Sequence, residues 1–428
     1  MKKIIEFILF STIFINGIVL FKTPFEGYHY YLIALVFTPL FAYKFGLPKI
    51  PLKVLFIPGV IGIVQILLGN NEIFVFIKIW GGLLFLLTFF HGLIEYYKYD
   101  VNRLFDVYLK WSVVIAYLGV IQVISFIIGF KFGYDYTWIF NKWGVHSGSL
   151  FFIRLNSLFS EPAQFAITMA PAVFIALRRI IDNKISSFEM SRKSAFVILA
   201  AYLMTTSSVA YLGFLSMIFI YLIEKRQTVY LVLILVIIPL LAVIAYKNID
   251  EVRVRADSFY GLTFENDFSI KNVNNSSFVL YNNFTVSWRN FLDHPLGTGL
   301  GSHLFAFKKY SLTNSGNIFK LEFNAKDGNS TFVRLMSETG ILGVGFLLWI
   351  LIGSFSRERK DSASYIVSTS LLVLLILHLF RQGNYFVSGF PFFVLLYYYN
   401  GKKSRENLKL KKESAEEVVK PLDEISPY

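Results

Sequence analysis

Long, nearly uncharged apolar runs separated by short clusters of Lys, Arg, Asn and Gly dominate this chain. They lie near residues 4–21, 29–43, 54–69, 73–95, 108–130, 160–177, 194–206, 208–223, 229–246, 335–353, 364–380 and 386–400. Most approach the roughly 20 residues that a helix needs to cross a bilayer core. The runs are continuous, without the apolar–polar alternation of a membrane barrel. The pattern predicts an all-α fold, a polytopic membrane helix bundle of about 12 transmembrane helices. Residues 1–400 form a single integral membrane domain, with a large extracytoplasmic loop, 247–334, between the ninth and tenth spans. Residues 401–428 form a charged tail, read as mobile or as a frayed helix.

Charge decides the orientation. With Lys2 and Lys3 inside, the same face receives Lys44/Lys49/Lys53, Lys98/Arg103, Arg178 to Lys193, Lys225/Arg226, Arg357 to Lys360 and the tail from Lys402 to Lys420. The short loops left outside, such as Gly69-Asn70-Asn71-Glu72, carry almost no basic residues. This is the positive-inside distribution, and it puts both termini in the cytoplasm. The net charge of +13 is therefore explained by membrane orientation and calls for no nucleic acid partner. The apolar fraction, 55%, and the mean hydropathy, +0.56, exceed soluble values. Cysteine is absent, which excludes a disulfide framework and thiolate chemistry. The first run lacks a small-residue cleavage site and reads as a span rather than a signal peptide.

Three stretches depart from simple spans. Residues 194–223 go out and return, leaving about 22 Å per helix at about 1.5 Å per residue, against roughly 30 Å of hydrocarbon. Either the tip, Thr205-Thr206-Ser207-Ser208, sits below the surface in a protein-lined cavity, or the helices extend into their flanks. Segments 131–159 and 247–334 are too long for connectors. In the second, Phe278, Tyr281, Phe284, Trp288, Phe291 and Leu292 recur at helical spacing, as in a helix lying on the membrane or capping the bundle.

The candidate chemistry gathers on the outer face. Arg154, Arg289, Arg334 and Arg381 run against the orientation bias there, and guanidinium groups grip phosphate oxygens in a forked geometry. For any one of them, pairing with a carboxylate or snorkelling to headgroups explains it as well. Glu161 and Glu338 stand at outer span ends, where a carboxylate can take a proton from a hydroxyl or fix a neighbouring arginine. Glu161 precedes Pro162, which suits a first helical turn, so its charge also favours that helix terminus. Gly297-Thr298-Gly299-Leu300-Gly301 lacks the strand and βαβ context of a nucleotide loop and reads as a tight turn with amides open to an anion. His294 and His303 flank it without a second ligand pair, so no metal site is expected.

At these residues the chain resembles the O-antigen ligase/polymerase superfamily, and most closely the Wzy-type polymerases of O-antigen, capsule and exopolysaccharide. The likeness rests on four segments in order: Arg154 to Pro162, the Ser-rich Thr205 to Gly213, Arg289 to Gly301, and Asn329 to Gly340. The resemblance implies a glycosyltransferase of the bacterial cytoplasmic (inner) membrane, needing neither metal nor cofactor. Its substrate would be an undecaprenyl-diphosphate-linked oligosaccharide, polymerised at the outer face of the membrane. A chain-length regulator and a flippase are the further candidate partners. Arg154, Arg289 and Arg381 would engage the diphosphate or its sugars, with Arg334 and Asn329 beside them, and Glu161 or Glu338 would assist the acceptor hydroxyl. Ligases of the superfamily carry a His before the Asn of the closing motif, where this chain has Gly328. That favours the polymerase over a ligase acting on another acceptor. A flippase or transporter of lipid-linked sugar would place charges within many spans and show two similar halves, and a scaffold would tolerate loss of the arginines.

Overall fold

The computed structural model describes residues 2–21, 26–148, 153–182, 188–265, 273–312 and 323–419. Its helices are α1 (Lys2–Phe14), α2 (His29–Phe45), α3 (Lys49–Leu67), α4 (Ile73–Tyr96), α5 (Val101–Ile127), α6 (Lys131–Tyr134), α7 (Pro162–Ile181) and α8 (Arg192–Met204). There follow α9 (Ser208–Glu224), α10 (Thr228–Asn248), α11 (Asp250–Tyr260), α12 (Asn275–Asp293), α13 (His303–Tyr310), α14 (Thr331–Gly353), α15 (Ala363–Arg381) and α16 (Phe390–Val419). The other described elements are a π-helical turn (Gly261–Glu265), a 3-10 turn (Val387–Gly389) and two small antiparallel strand pairs, β1 (Val19–Phe21) with β2 (Gly27–Tyr28), and β3 (His146–Ser147) with β4 (Ile153–Arg154).

Among the described residues seven helices, α3, α4, α5, α7, α10, α14 and α15, are long and apolar enough to cross a membrane. The protein is an all-helical membrane protein, and its burial pattern follows from that. Helix α7 packs against α8, α9 and α15, and 15 of its 20 residues are buried. By contrast α10, with mean hydropathy 3.0, has no buried residue. A helix that is apolar on every side and covered by so little protein needs lipid around it. Within α7, Pro171 lacks the N–H of a regular helix. Beside it the Tyr108 hydroxyl bridges the ladder, donating to Thr168 O at 2.7 Å and accepting from Ala172 N at 3.3 Å.

Several expected boundaries move for local reasons. The first run was expected to be helical over 4–21, but α1 stops at Phe14 and the chain turns into β1. Asn16 ends it by accepting from Ser160 N at 2.8 Å and donating to Gln164, so its side chain ties α1 to the start of α7. At the other end of the chain α16 runs unbroken from Phe390 to Val419, so the first part of the charged tail continues a bundle helix. The rest of the tail lies outside the described residues. The long loop holds α11, α12 and α13 around a small apolar core of Leu262, Phe278, Val286 and Phe307. Its stretches 266–272 and 313–322, and residues 149–152 of the earlier segment, lie outside the described residues. The α8–α9 tip is enclosed: Thr205 and Ser207 are buried. Leu155 N donates to Met204 O at 3.1 Å, laying the β4 strand across it. This is the protein-lined alternative for that hairpin, and α9 extends only to Glu224.

One break positions everything described next. Helix α14 changes direction at Gly340, whose φ of 57° and ψ of −147° are not helical. All of its buried residues lie between Thr331 and Gly340, and none lies in 341–353. The first half is thus a polar helix inside protein, and the second an apolar helix facing lipid. A Cβ at Gly340 would overlap Pro295 O, and the left-handed φ disfavours any side chain. We expect Gly340→Ala to destabilise the fold by at least about 1–3 kcal/mol, read as a lower melting temperature of the detergent-solubilised protein. An unchanged melt would mean that the break is not under constraint.

Candidate functional site

The Gly-rich turn after α12 is a lock for α14. Gly297, Gly299 and Gly301 have φ of 80°, 93° and 87°, so the backbone can fold tightly against the helix. Thr298 N donates to Ser337 O at 3.3 Å, Gly299 N to Glu338 O at 2.8 Å, and Ile341 N to Pro295 O at 2.9 Å. These bonds satisfy the carbonyls and amide that the break at Gly340 frees from the helix. Asn290, the last inward residue of α12, donates to Ser337 O at 2.9 Å and to Thr298 Oγ1 at 3.1 Å. The expectation that this turn offers its amides to an anion is corrected for its first three residues: Thr298 and Gly299 use theirs on α14, and Gly297 N donates to His294 O.

Arg334 and Glu338 form a buried ion pair, Nε to Oε1 at 2.7 Å, one turn apart on the first half of α14. Tyr385 donates to Glu338 Oε2 at 3.0 Å, and its ring lies under the guanidinium at 4.3 Å. Burial and the adjacent Glu338 carboxylate push the Tyr385 phenol far up, so it remains a donor. Arg334 Nη1 donates to Gly383 O at 3.1 Å, and Ser330 Oγ to Leu379 O at 2.7 Å. Both carboxylate oxygens of Glu338 and two edges of Arg334 are thus engaged inside the protein. Of the two roles foreseen for Glu338, the geometry matches the fixing of a neighbouring arginine. Arg334, foreseen among the substrate-binding groups, instead clamps the segment that carries Arg381.

His303 is fully buried below Gly328. Its Nε2 is 3.0 Å from Asn283 Oδ1 and its Nδ1 is 3.5 Å from Ser287 Oγ. Burial, with the Arg334 charge acting in the same sense, holds its pKa down to about 3. The imidazole is therefore neutral and structural, joining α12 to α13.

A second group of residues is open to solvent. Arg154, on β4, is half-buried and donates from Nε to Thr205 O at 3.3 Å. Burial and the like charge of Arg255 on α11 both act against its charge, whereas Tyr211 and Glu161 act for it. Arg381, half-buried at the end of α15, lies in the field of the same Arg255. Among the described residues none of these three arginines forms a salt bridge. Glu161 stands exposed at the N-cap of α7, with Pro162 at the first helical position, and makes no side-chain capping bond. Asn329 is half-buried with a φ of 54°, its backbone against Gly383. Arg289 is exposed on α12, beside the buried Asn290, and no ion pair to it is found among the described residues. Arg255 was not singled out from sequence; the signal was the charge pattern Asp250-Glu251-Val252-Arg253-Val254-Arg255 at the head of the long loop.

The opposite end of the bundle has the contrary character. There Arg178 pairs with Glu224 at 2.6 Å, Lys225 with Asp182 at 2.9 Å, and Lys360 donates to Glu224 O at 3.1 Å. The cations named there are paired, whereas Arg154 and Arg381 both feel the like charge of Arg255 and none of the three has a salt bridge among the described residues. Repulsion of this kind is relieved by an anion, and guanidinium is the side chain suited to a phosphate. Among the described residues no group of three His, Asp or Glu could hold a metal ion.

Comparison with known proteins finds no matching family model and no matching curated protein.

Two expected outcomes follow from the buried groups. Replacing Arg334 with Leu should destabilise the protein by about 3–5 kcal/mol, because Glu338 is left charged and buried. The double replacement Arg334→Leu with Glu338→Leu should recover part of the loss in a thermal melt. If the single and double variants melt together, the pair is not coupled. For His303, the folded value near 3 lies below the ordinary 6.5, so unfolding takes up a proton between them. Its stabilisation is complete above pH 6.5 and fades as pH falls toward 3. Amide exchange across 275–310 should accelerate from pH 7 to pH 5, after correction for intrinsic rates, and less so in His303→Gln. A flat profile in the parent protein would contradict the neutral buried imidazole.

Proposed function

We propose that this protein is a glycosyltransferase that polymerises undecaprenyl-diphosphate-linked oligosaccharide repeat units at the outer face of the bacterial cytoplasmic membrane. The observation that carries the reading is the set Arg154, Arg255 and Arg381. They come from three distant parts of the chain, share one field, and have no carboxylate partner among the described residues. In this reading α1, α2, α8, α9 and α16 join the seven long apolar helices to make twelve spans. The end with Arg178 and Glu224 faces the cytoplasm with both termini, and residues 247–334 lie outside. The diphosphate binds among the three guanidinium groups, and its polyprenyl tail enters the lipid beside α10.

The chemistry is a substitution at the anomeric carbon. An acceptor hydroxyl oxygen attacks that carbon as its bond to the diphosphate breaks. The diphosphate departs with the bonding electron pair, and the guanidinium groups stabilise the charge it gains. The hydroxyl proton passes to Glu161, the candidate carboxylate that is exposed and unencumbered. Glu338 acts only through Arg334, which holds Gly383 and hence the turn after Arg381. The polymerase is favoured over the ligase because the histidine nearest Gly328, His303, has both ring nitrogens engaged in the interior.

Arg154→Ala, Arg255→Ala and Arg381→Ala should fold normally and slow chain growth on the order of 10²–10³-fold. Glu161→Gln should slow it on the order of 10²–10⁴-fold, while Arg289→Ala should have a far smaller effect. The measurement is reconstitution with lipid-diphosphate repeat units extracted from the producing strain, with products resolved by length. Normal ladders from well-folded Arg381→Ala and Arg255→Ala proteins would reject the reading.

A further inference from the structure

The C-terminal half of helix α12 turns large apolar side chains outward and polar ones inward. Its buried face carries Asn282, Asn283, Ser287 and Asn290 beside Phe278, Val279 and Val286. Each of the buried asparagines is hydrogen-bonded: Asn282 to Ser311 Oγ at 3.0 Å, Asn283 to Phe323 O at 2.9 Å and to His303, and Asn290 to Ser337 and Thr298. The exposed face carries Phe284, Trp288 and Leu292 at four-residue spacing, with Arg289 among them. A helix facing water arranges these types the other way round. The inversion is coherent, since every inward polar group has a partner and the outward apolar groups are left to the surroundings.

The apolar strip does not end with the helix. It continues through the exposed Leu296 in the turn to Ile341 and Leu342, the first residues of the lipid-facing half of α14. The bond from Ile341 N to Pro295 O at 2.9 Å holds the two pieces together. That half of α14, residues 341–353, is roughly 20 Å long, shorter than the roughly 30 Å hydrocarbon core. A helix docked on its upper end therefore sits at the membrane boundary and does not stand clear in water.

We infer that α12 is an interfacial helix whose Phe284, Trp288 and Leu292 lie at the acyl–headgroup boundary of the bilayer, with Arg289 extended to phospholipid phosphate. Trp at an interface and a basic side chain reaching outward suit that depth. The assignment rests on the membrane placement of α14 and is independent of the transferase reading. It sets the level of the buried Asn290, Ser337 and Glu338, and it gives Arg289 a lipid partner in place of the substrate role expected from sequence.

The chain contains no Cys, so single cysteines carry a spin label without background. Labels at Phe284→Cys, Trp288→Cys and Leu292→Cys are to be measured in phosphatidylethanolamine–phosphatidylglycerol vesicles by power saturation with oxygen and a nickel chelate. Arg359→Cys, in an exposed loop at the opposite end, gives the aqueous reference, and Val236→Cys on lipid-facing α10 gives the hydrocarbon reference. The expected result is loss of nickel accessibility relative to Arg359→Cys, retained oxygen accessibility, and a depth between the two references. Adding Arg289→Glu should move the label at Phe284→Cys outward, because the new carboxylate repels lipid phosphate. Labels as open to nickel as the aqueous reference would overturn the assignment, as would labels closed to both reagents because protein covers them. An unmoved label in the Arg289→Glu protein would remove the phosphate contact. All of these outcomes are read without any assay of chain growth.

Discussion

The joint at Gly340 is the constraint on which the rest of the structure depends. A membrane helix normally satisfies its own backbone, but α14 interrupts its ladder where a polar helix inside protein becomes an apolar helix in lipid. The interruption needs partners for the freed groups, and the Pro295–Gly299 turn supplies them from a distant part of the chain. Because that turn follows α12 directly, the same bonds that repair α14 also dock the long loop onto the bundle. Gly297 and Gly340 are needed there because a side chain at either would meet the opposing backbone.

The Arg334–Glu338 pair belongs to this joint. Two opposite charges are taken from water, which is unfavourable unless every lone pair and proton finds a partner. Here Tyr385 takes the second carboxylate oxygen and Gly383 O accepts from the guanidinium. The consequence is positional: α14 is held to the turn after α15, so Arg381 is presented at a defined place. A buried ion pair is thus coupled to Arg381, a half-buried cation without a salt bridge two residues before Gly383. That division separates the groups that build the end of the bundle from the groups left to interact with something else.

The two ends of the bundle carry similar charge types with different outcomes. Near Arg178 the cations meet Glu224 and Asp182. Arg154 and Arg381 instead each lie in the field of Arg255, and the acidic influence on Arg154 is the exposed Glu161. A fold gains nothing for its own stability by gathering guanidinium groups without counter-charges. The arrangement makes sense for a protein whose partner at that end is an anion, and this physical argument supports the functional proposal.

Much of the architecture was legible along the chain, because the length and apolarity of a run are local properties and lipid rewards them directly. The helical membrane class, the enclosed tip at Thr205 and the helical pattern of 278–292 could all be read or framed from residue order. Arg154, Arg381 and Glu161 were recognisable as charges at the ends of apolar runs for the same reason. What the tertiary structure alone decided was which charges are spent on the fold. Residue order does not reveal that Glu338 meets Tyr385, that the amides of Thr298 and Gly299 face α14, or that Arg255 shares the field of Arg154 and Arg381. Nor does it reveal that α12 turns its asparagines inward and its tryptophan outward, since periodicity defines a face but not what the face meets. Pairing and burial depend on which distant segments are brought together, and that is determined by packing.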